Sequence, residues 1–299
     1  MSPFKNEHKT GKGGERNRKG VNCSPYTKKG AENMPHSTFH HEAFYAALSE
    51  QCKHCSLKVY PVLDSTNSEV RRLALKDAPE GTVVVAEEQQ KGRGRQGRVF
   101  FSPSSTGLYM SVLLRPHKKV SPLFITTAAA VAVARAIEQL TGITAQIKWV
   151  NDIYCRGKKV CGILTEGCFI PNTSHLQYAV LGIGVNLFSP RNGFPSEIEN
   201  KAGSLYQKEK PPAFLKEKLA AAILTQFWKW YKNSNNQGHL DEYRRRSLLT
   251  GRTVEVLTTT GAVTDVAVVT GISDTFALQV TTTDGEKKEL SSGEVSIRL

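Results

Sequence analysis

The amino-acid sequence predicts a mixed α/β domain followed by a small β-barrel, and three observations carry that expectation. Of the 299 residues, 39% are hydrophobic and 22% charged, enough apolar material for one large core and a small one. β-branched runs alternate with helical patterns from Leu57 to about residue 250, which is how an α/β layer reads. Beyond Gly251 only short β-branched runs remain, broken by Gly261, Gly271, Asp284-Gly285 and Gly293. That spacing suits a barrel or sandwich. The expected division is a basic tail over 1–35, a large domain over 36–250 and a small β domain over 251–299.

Residues 1–35 are rich in Gly, Lys, Asn and Ser with almost no aliphatic side chains. Such a segment cannot bury enough surface to offset ordering entropy and is expected to be disordered; Met34 is an alternative start. One helix is expected from Thr38 to Glu50, where a helix-turn-helix would need three before residue 60. Leu57–Tyr60 reads as a strand. Thr66 with Glu69 three positions on is a capping box that opens a helix through Leu75. Thr82–Glu87 and Leu108–Leu114 read as strands. Ser121 with Pro122 starts an apolar, buried helix that Gly142 ends. Strand-like runs follow at Ile147–Tyr154, Lys159–Glu166 and Gln177–Asn186. A long helix then carries Leu215, Leu219, Ile223, Phe227 and Trp230 on one face. Asp284-Gly285 is a hairpin signal.

The formal charge of +13 raises nucleic acid as a partner. Its distribution argues otherwise: residues 1–33 carry eight Lys/Arg against three Glu, and four more basic groups crowd into Lys91–Arg98. A nucleotide supplies phosphates to such a loop as well as DNA does. No stretch reads as an apolar membrane span and no charged-then-apolar leader opens the chain, so a cytoplasmic protein is expected. Cys23, Cys52, Cys55, Cys155, Cys161 and Cys168 form no regular framework, which fits reduced thiols. Cys52-Lys53-His54-Cys55 resembles half a zinc site, but no second pair of ligands stands at a suitable spacing, so zinc is not expected. Cys161 and Cys168 read as core packing. His36, His40 and His41 read as a solvated stretch beside the tail.

The most informative segment is Glu87-Glu88-Gln89-Gln90-Lys91-Gly92-Arg93-Gly94-Arg95-Gln96-Gly97-Arg98. Alternating Gly and Arg lets the backbone fold closely over an anion and supplies donors that neutralise it. It matches neither the phosphate loop GxxxxGK[ST] nor the dinucleotide GxGxxG. Read alone it is also a solvated basic loop or an arginine-glycine RNA segment. Such segments sit in repetitive tails, whereas this one runs between a strand and Phe100-Phe101-Ser102-Pro103.

Together with Ser65-Thr66-Asn67, Lys148-Trp149-Val150-Asn151-Asp152, the run from Lys159 to Glu166 and Gly182-Ile183-Gly184-Val185-Asn186, this loop resembles biotin protein ligases in order and spacing. The resemblance extends from about residue 57 to Ser292-Gly293-Glu294-Val295-Ser296-Ile297-Arg298. It implies a class II aminoacyl-tRNA synthetase-like catalytic core with an SH3-like C-terminal domain. It also implies the reaction: biotin and ATP form biotinyl-5′-AMP, and biotin passes to a lysine of a biotin carboxyl carrier protein or domain.

Carried over by position, Ser65, Thr66 and Asn67 would hold biotin's ureido ring and nearby atoms, with Gln89 a further contact. Gly92, Arg93, Gly94 and Arg95 would form a loop that closes over bound ligand. Arg98, Asn151 and Asp152 would handle ATP and its Mg2+, with Asp152 on the metal and with Lys148 and Asn186 also at the nucleotide. Phe100 would stack on adenine. Lys159 would stand where biotin's carboxylate meets the α-phosphate, and Lys159 with Arg95 are the expected catalytic residues. The chemistry suits these types, because two anions must be joined and cations cancel their repulsion.

Each assignment has a plainer counterpart. Ser65 or Thr66 also reads as a helix cap, Lys148 as a solvated strand residue, and Asp152 as a turn residue. Where the family pattern has proline before the Asn-Asp pair, this chain has Val150; the strand is expected to survive, since valine favours extended backbone. The nearest rival reading is a lipoate protein ligase, and the next a biotin-responsive transcriptional regulator. An RNA-binding reading lacks aromatics among the basic residues 91–98. A homodimer is compatible with the sequence, and no sequence-specific DNA binding is expected.

Overall fold

The computed structural model describes residues 39–117, 120–207, 211–233, 238–257, 262–291 and 294–297. The basic tail, Cys23, His36, Gly261, Ser292, Gly293 and Arg298, all singled out in the sequence, lie outside the described residues.

The chain enters through α1 (His41–Ala47) and a 3₁₀ turn at Glu50–Cys52. This is shorter than the helix expected to Glu50, because Leu48 turns to extended backbone. β1 (Ser56–Leu63), α2 (Thr66–Ala74) and β2 (Thr82–Gln89) form a crossover unit. The helix carries the chain back, so β2 lies parallel to β1. β3 (Gly107–Leu114) then runs antiparallel to β2. After α3 (Pro122–Thr141) come β4 (Gln146–Lys148), β5 (Asp152–Cys155), β6 (Lys158–Phe169) and β7 (Leu176–Asn186). Each of these pairs antiparallel with the next, and β7 closes onto β3, so the sheet order is β1-β2-β3-β7-β6-β5-β4.

Two local expectations are corrected. The strand expected over Ile147–Tyr154 is two strands, because the chain reverses at Trp149-Val150-Asn151, where the Trp149–Val150 peptide is cis. The Trp149 indole N–H donates to the Phe276 carbonyl at 2.9 Å, and the Tyr243 hydroxyl donates to the Val150 carbonyl at 3.1 Å. Those tertiary partners override valine's preference for extended structure. The capping box is likewise not formed. Ser65 occupies the N-cap position without a side-chain cap bond, Thr66 is already helical, and Glu69 bonds Arg72 and Tyr60 instead.

α3 follows its sequence signals: Ser121 Oγ accepts the Phe124 N–H at 3.0 Å, and Gly142 ends the helix at φ 70°. With 20 residues it is long and apolar enough to cross a membrane by length and composition, which corrects the expectation that no stretch reads as such a span. Its apolar surface lies against the rest of the fold, with every residue from Ile125 to Ala134 buried. α4 (Leu215–Lys232) buries Leu215, Leu219, Ile223, Phe227 and Trp230 as its pattern predicts, and α5 (Gly238–Arg245) follows.

The two faces of the sheet are covered differently, and this positions the site. One carries Met110, Val112, Leu181, Ile183 and Val185 in the main core with α3 and α4. On the other, Val70 and Ala74 of α2 pack on Val84, Leu113 and Val180. Beyond that small cluster, the same face presents Gly162, Gly182 and Gly184, with Gly162 paired to Gly184 and Leu164 to Gly182.

A second sheet follows: β8 (Thr253–Leu257), β9 (Val263–Ile272), β10 (Leu278–Thr282), β11 (Lys287–Leu290) and β12 (Glu294–Ile297), antiparallel in the order β11-β10-β9-β8-β12. Gly285 at φ 87° makes the predicted turn between β10 and β11. Register shifts at Val256/Leu257 and Gln279/Val280 let so short a sheet curl as an SH3-like module must.

Candidate active site

The site is built on the glycine floor. A methyl group at Gly182 would overlap the Asn67 amide, and one at Gly184 would run into the Phe100 ring. Side chains that cross above the floor need this clearance. α2 presents Thr66 and Asn67 at its first turn, both buried. Gln89, at the end of β2, accepts the Thr66 backbone N–H at 2.9 Å and its hydroxyl at 3.1 Å through Oε1, and donates from Nε2 to Ser102 Oγ at 2.8 Å. Ser111, fully buried on β3, lies 2.7 Å from Thr66 Oγ1 and donates to Asn67 Oδ1 at 2.6 Å. The result is a connected polar shelf in which each buried group has a partner. Such a shelf can present fixed donors and acceptors to a polar ring.

The Gly-Arg loop is a tight hairpin. Bridges pair Gln89 with Ser102 and Arg93 with Val99, and Gln96 and Gly97 turn its tip at φ 54° and 74°. Gly92 is required where the Phe100 carbonyl crosses, since a Cβ there would overlap it. Arg93 and Arg98 are exposed, and Arg95 is half-buried. Arg93 Nη2 reaches Glu166 Oε1 at 2.9 Å, while Arg95 Nη1 donates to Asn151 Oδ1 at 3.0 Å. The loop is thus pinned at two points.

Asn151 lies on the turn between β4 and β5 and donates from Nδ2 to the Ile163 carbonyl at 2.7 Å. Asp152 is paired with Gly162 across the ladder and stands opposite Lys148. Lys159 Nζ is 2.6 Å from Asp152 Oδ1, an oxygen that is buried and takes no aligned hydrogen bond among the described residues. The Lys159 side chain also borders Gly162, next to the Phe100 ring. Phe100 therefore sits over the floor beside Lys159, and it meets Tyr109 edge to face at 6.4 Å. Burial pushes the Tyr109 phenol up to about 12, so it stays protonated beside Thr106 and donates to the Pro103 carbonyl at 3.0 Å.

A cavity of about 160 Å³ opens next to the Arg95–Asn151 contact, lined among others by Leu123, Trp149, Val150, Ile163 and Ser291. Its wall comes from β6, α3, the Trp149–Val150 turn and Arg95, with Ser291 from just after β11.

The structure thus gathers Thr66, Asn67, Gln89, Phe100, Lys159 and Asp152 around the floor, and Arg95, Asn151 and Asp152 at its far end. Asn186 is placed differently: its amide donates to the Gly203 carbonyl at 3.0 Å and braces the 200–206 segment. That segment also brackets Lys159, whose N–H and C=O bond the Lys201 carbonyl and the Gly203 N–H. Cys161 is wholly buried and Cys55 nearly so; burial holds both thiols up and pushes Cys55 to about 12. Among the described residues no group of three or more His, Cys, Asp or Glu is arranged to hold a metal by itself. Ser111, Glu166 and the three glycines were missed as site residues. A lone serine in an apolar strand and glycines at a spacing of two were the available signals.

Two family models match the chain: the biotin/lipoate A/B protein ligase family over residues 59–186 and the biotin protein ligase C-terminal domain over 249–298. The bifunctional ligase/repressor BirA of Bacillus subtilis is 43% identical over 149 residues, 50% of this chain and 45% of that protein. The chain thus spans about half the length of these curated repressor relatives. The biotin–[acetyl-CoA-carboxylase] ligase of Mycobacterium tuberculosis is 30% identical over 213 residues, covering 67% of this chain and 74% of that protein. Among solved structures, the Aquifex aeolicus biotin protein ligase in complex with biotin and ATP superposes with a TM-score of 0.65 at 30% identity. It covers 81% of this chain and 98% of its own. The chain belongs to the biotin protein ligase family.

Proposed function

We propose that the chain activates biotin with ATP to biotinyl-5′-AMP and transfers biotin to a lysine of a carrier protein or domain. The observation that carries this reading is the position of the Lys159–Asp152 pair, between the Thr66–Asn67–Gln89 shelf and the Arg95–Asn151 turn. The shelf suits a cyclic urea, which needs fixed donors and acceptors in one plane. The Phe100 ring and the bare floor suit the apolar remainder of biotin. The cavity beside Asn151 suits the nucleotide.

In the first step a carboxylate oxygen of biotin bonds to the α-phosphorus, and the bond from that phosphorus to pyrophosphate breaks. Both reactants are anionic, so Lys159 lowers the barrier by placing its ammonium at their junction, and Arg95 adds charge from the loop. In the second step the acceptor amine attacks the mixed anhydride and AMP leaves. The loop protects the anhydride from water in the interval. Asp152 fits a magnesium ion carried mainly by nucleotide phosphates, because such an ion needs only one or two carboxylates and the Asp152 carboxylate stands at the Asn151 turn beside Lys159. The ion would neutralise the leaving pyrophosphate. Residues 36–250 would supply the catalytic part, with 251–299 supporting the nucleotide turn.

Biotin-dependent exchange of labelled pyrophosphate into ATP tests the first step without an acceptor. Exchange driven by lipoate but not by biotin would overturn the reading.

A further inference from the structure

Glu166 on β6 receives donors from two separate parts of the site. Asn67 Nδ2 donates to Oε2 at 2.7 Å, Arg71 Nη2 to Oε1 at 3.0 Å, and Arg93 Nη2 reaches Oε1 at 2.9 Å. The first two belong to α2 and the third to the Gly-Arg hairpin. We propose that Glu166 is a positioning residue that anchors the Gly-Arg hairpin to the biotin shelf and sets the orientation of Asn67.

Two guanidinium groups share one oxygen here. Without the carboxylate, Arg71 and Arg93 would repel each other across a short gap, and the hairpin would be pushed off α2. The loop must be cationic to meet phosphates, so it needs a local anion wherever it touches a basic helix. Glu166 supplies that anion at 24% side-chain exposure, where charge-assisted bonds are less screened than on an open surface. Its second oxygen settles Asn67. Ser111 can only donate to Oδ1 and Glu166 can only accept from Nδ2, so the amide has one orientation above Gly182. Shelf and loop thus hang from one side chain, and a change at Glu166 moves both together.

The anchoring stands on the contacts of Glu166 with Asn67, Arg71 and Arg93; only its catalytic consequence rests on the ligase reading. The two are tested separately. Trypsin cleaves after arginine; Arg93 lies on the hairpin strand that Glu166 holds, and Arg98 lies on the facing strand. In Glu166→Gln, cleavage after Arg93 relative to cleavage after Arg98, mapped by mass spectrometry without substrates, should rise at least fivefold. General loosening would raise both cuts together and leave the ratio unchanged. Arg93→Met provides a second arm, since its exposed side chain leaves the core untouched. It should speed cleavage after Arg95 as much as Glu166→Gln does, and the double variant should add less than twofold.

In pyrophosphate exchange, Glu166→Gln should raise the KM for biotin about tenfold, with kcat within threefold of the unmutated enzyme. An unchanged Arg93-to-Arg98 cleavage ratio in Glu166→Gln overturns the anchor. Additive effects of Glu166→Gln and Arg93→Met overturn it equally. Absence of exchange in the unmutated protein would overturn the ligase reading and leave the proteolysis result standing.

Discussion

Gly182 lies under the Asn67 amide with no room for a methyl group, and that amide is tied by Ser111 and Glu166. Gly182→Ala must therefore break part of the shelf rather than nudge a free side chain. Biotin binding measured by calorimetry should weaken at least tenfold, and the melting temperature should fall by the cost of the overlap, about 1–3 kcal/mol. Lys159 makes the opposite kind of case. Its pair with Asp152 leaves 32% and 21% of the two side chains exposed, so it adds only about 1 kcal/mol or less to stability. Lys159→Gln should melt like the unmutated protein yet lose on the order of 100-fold in pyrophosphate exchange. At this scale the sequence was legible where a residue type announces its chemistry. Arginine and glycine in the 91–98 loop announce an anion in that way, whereas Thr66, Asn67, Gln89 and Lys159 were singled out only through the family resemblance. Ser111 and Glu166 were not, since a buried serine and a strand glutamate look like ordinary sheet residues until their partners, 44 and 99 positions away, are placed.

The elements around the site are fastened by an ion network between α3 and α5. Arg246, buried, bonds Glu138 and Glu242, and Glu242 also takes Arg135 and Arg245. Burial alone would raise the Glu242 carboxyl, but the bonds from Arg245, Arg135 and Arg246 overcome it and hold it at about 2. A carboxyl depressed in the folded state contributes stability that is full above its unfolded value near 4.3 and is lost as pH falls through the folded value. The window is thus roughly pH 4.5 to 2, and the amount is about 3 kcal/mol. Denaturant melts at pH 5, 4 and 3 should show a progressive loss in the unmutated protein. Glu242→Gln should be less stable at pH 5 and flatter below it. Helix ends were legible in this region, because Ser121, Pro122 and Gly142 act locally. The reversal at Trp149-Val150-Asn151 was hidden, because its hydrogen-bond partners come from Phe276 and Tyr243.

Across the whole molecule, the Trp149–Phe276 bond joins the turn that carries Asn151 to the second sheet, and Arg244 adds bonds to the Ile272 carbonyl and Asp274. Trp149→Phe keeps a ring in place but leaves the Phe276 carbonyl without its donor, a cost of about 1–3 kcal/mol. Because Asn151 follows two residues later while the shelf lies on α2, β2 and β3, the KM for ATP should rise several-fold and that for biotin should not. Substrate titrations in the exchange assay separate the two. The change of texture near Gly251 showed that a second all-β unit would follow; nothing local showed how it attaches.

The pairing of β3 with β7, Gly107 to Asn186 and Leu114 to Ala179, also constrains how the protein is made. All eight residues of β3 are buried in the finished sheet, yet during synthesis this apolar strand leaves the ribosome well before its partner exists. At about 5–20 residues per second, translating the intervening chain takes roughly 3–12 s. For that interval one edge of β3 is unpaired and open to other nascent chains. Slowing translation between the codons for Leu114 and Leu176 should therefore lower the soluble yield, and a chaperone that covers exposed apolar strands should restore it.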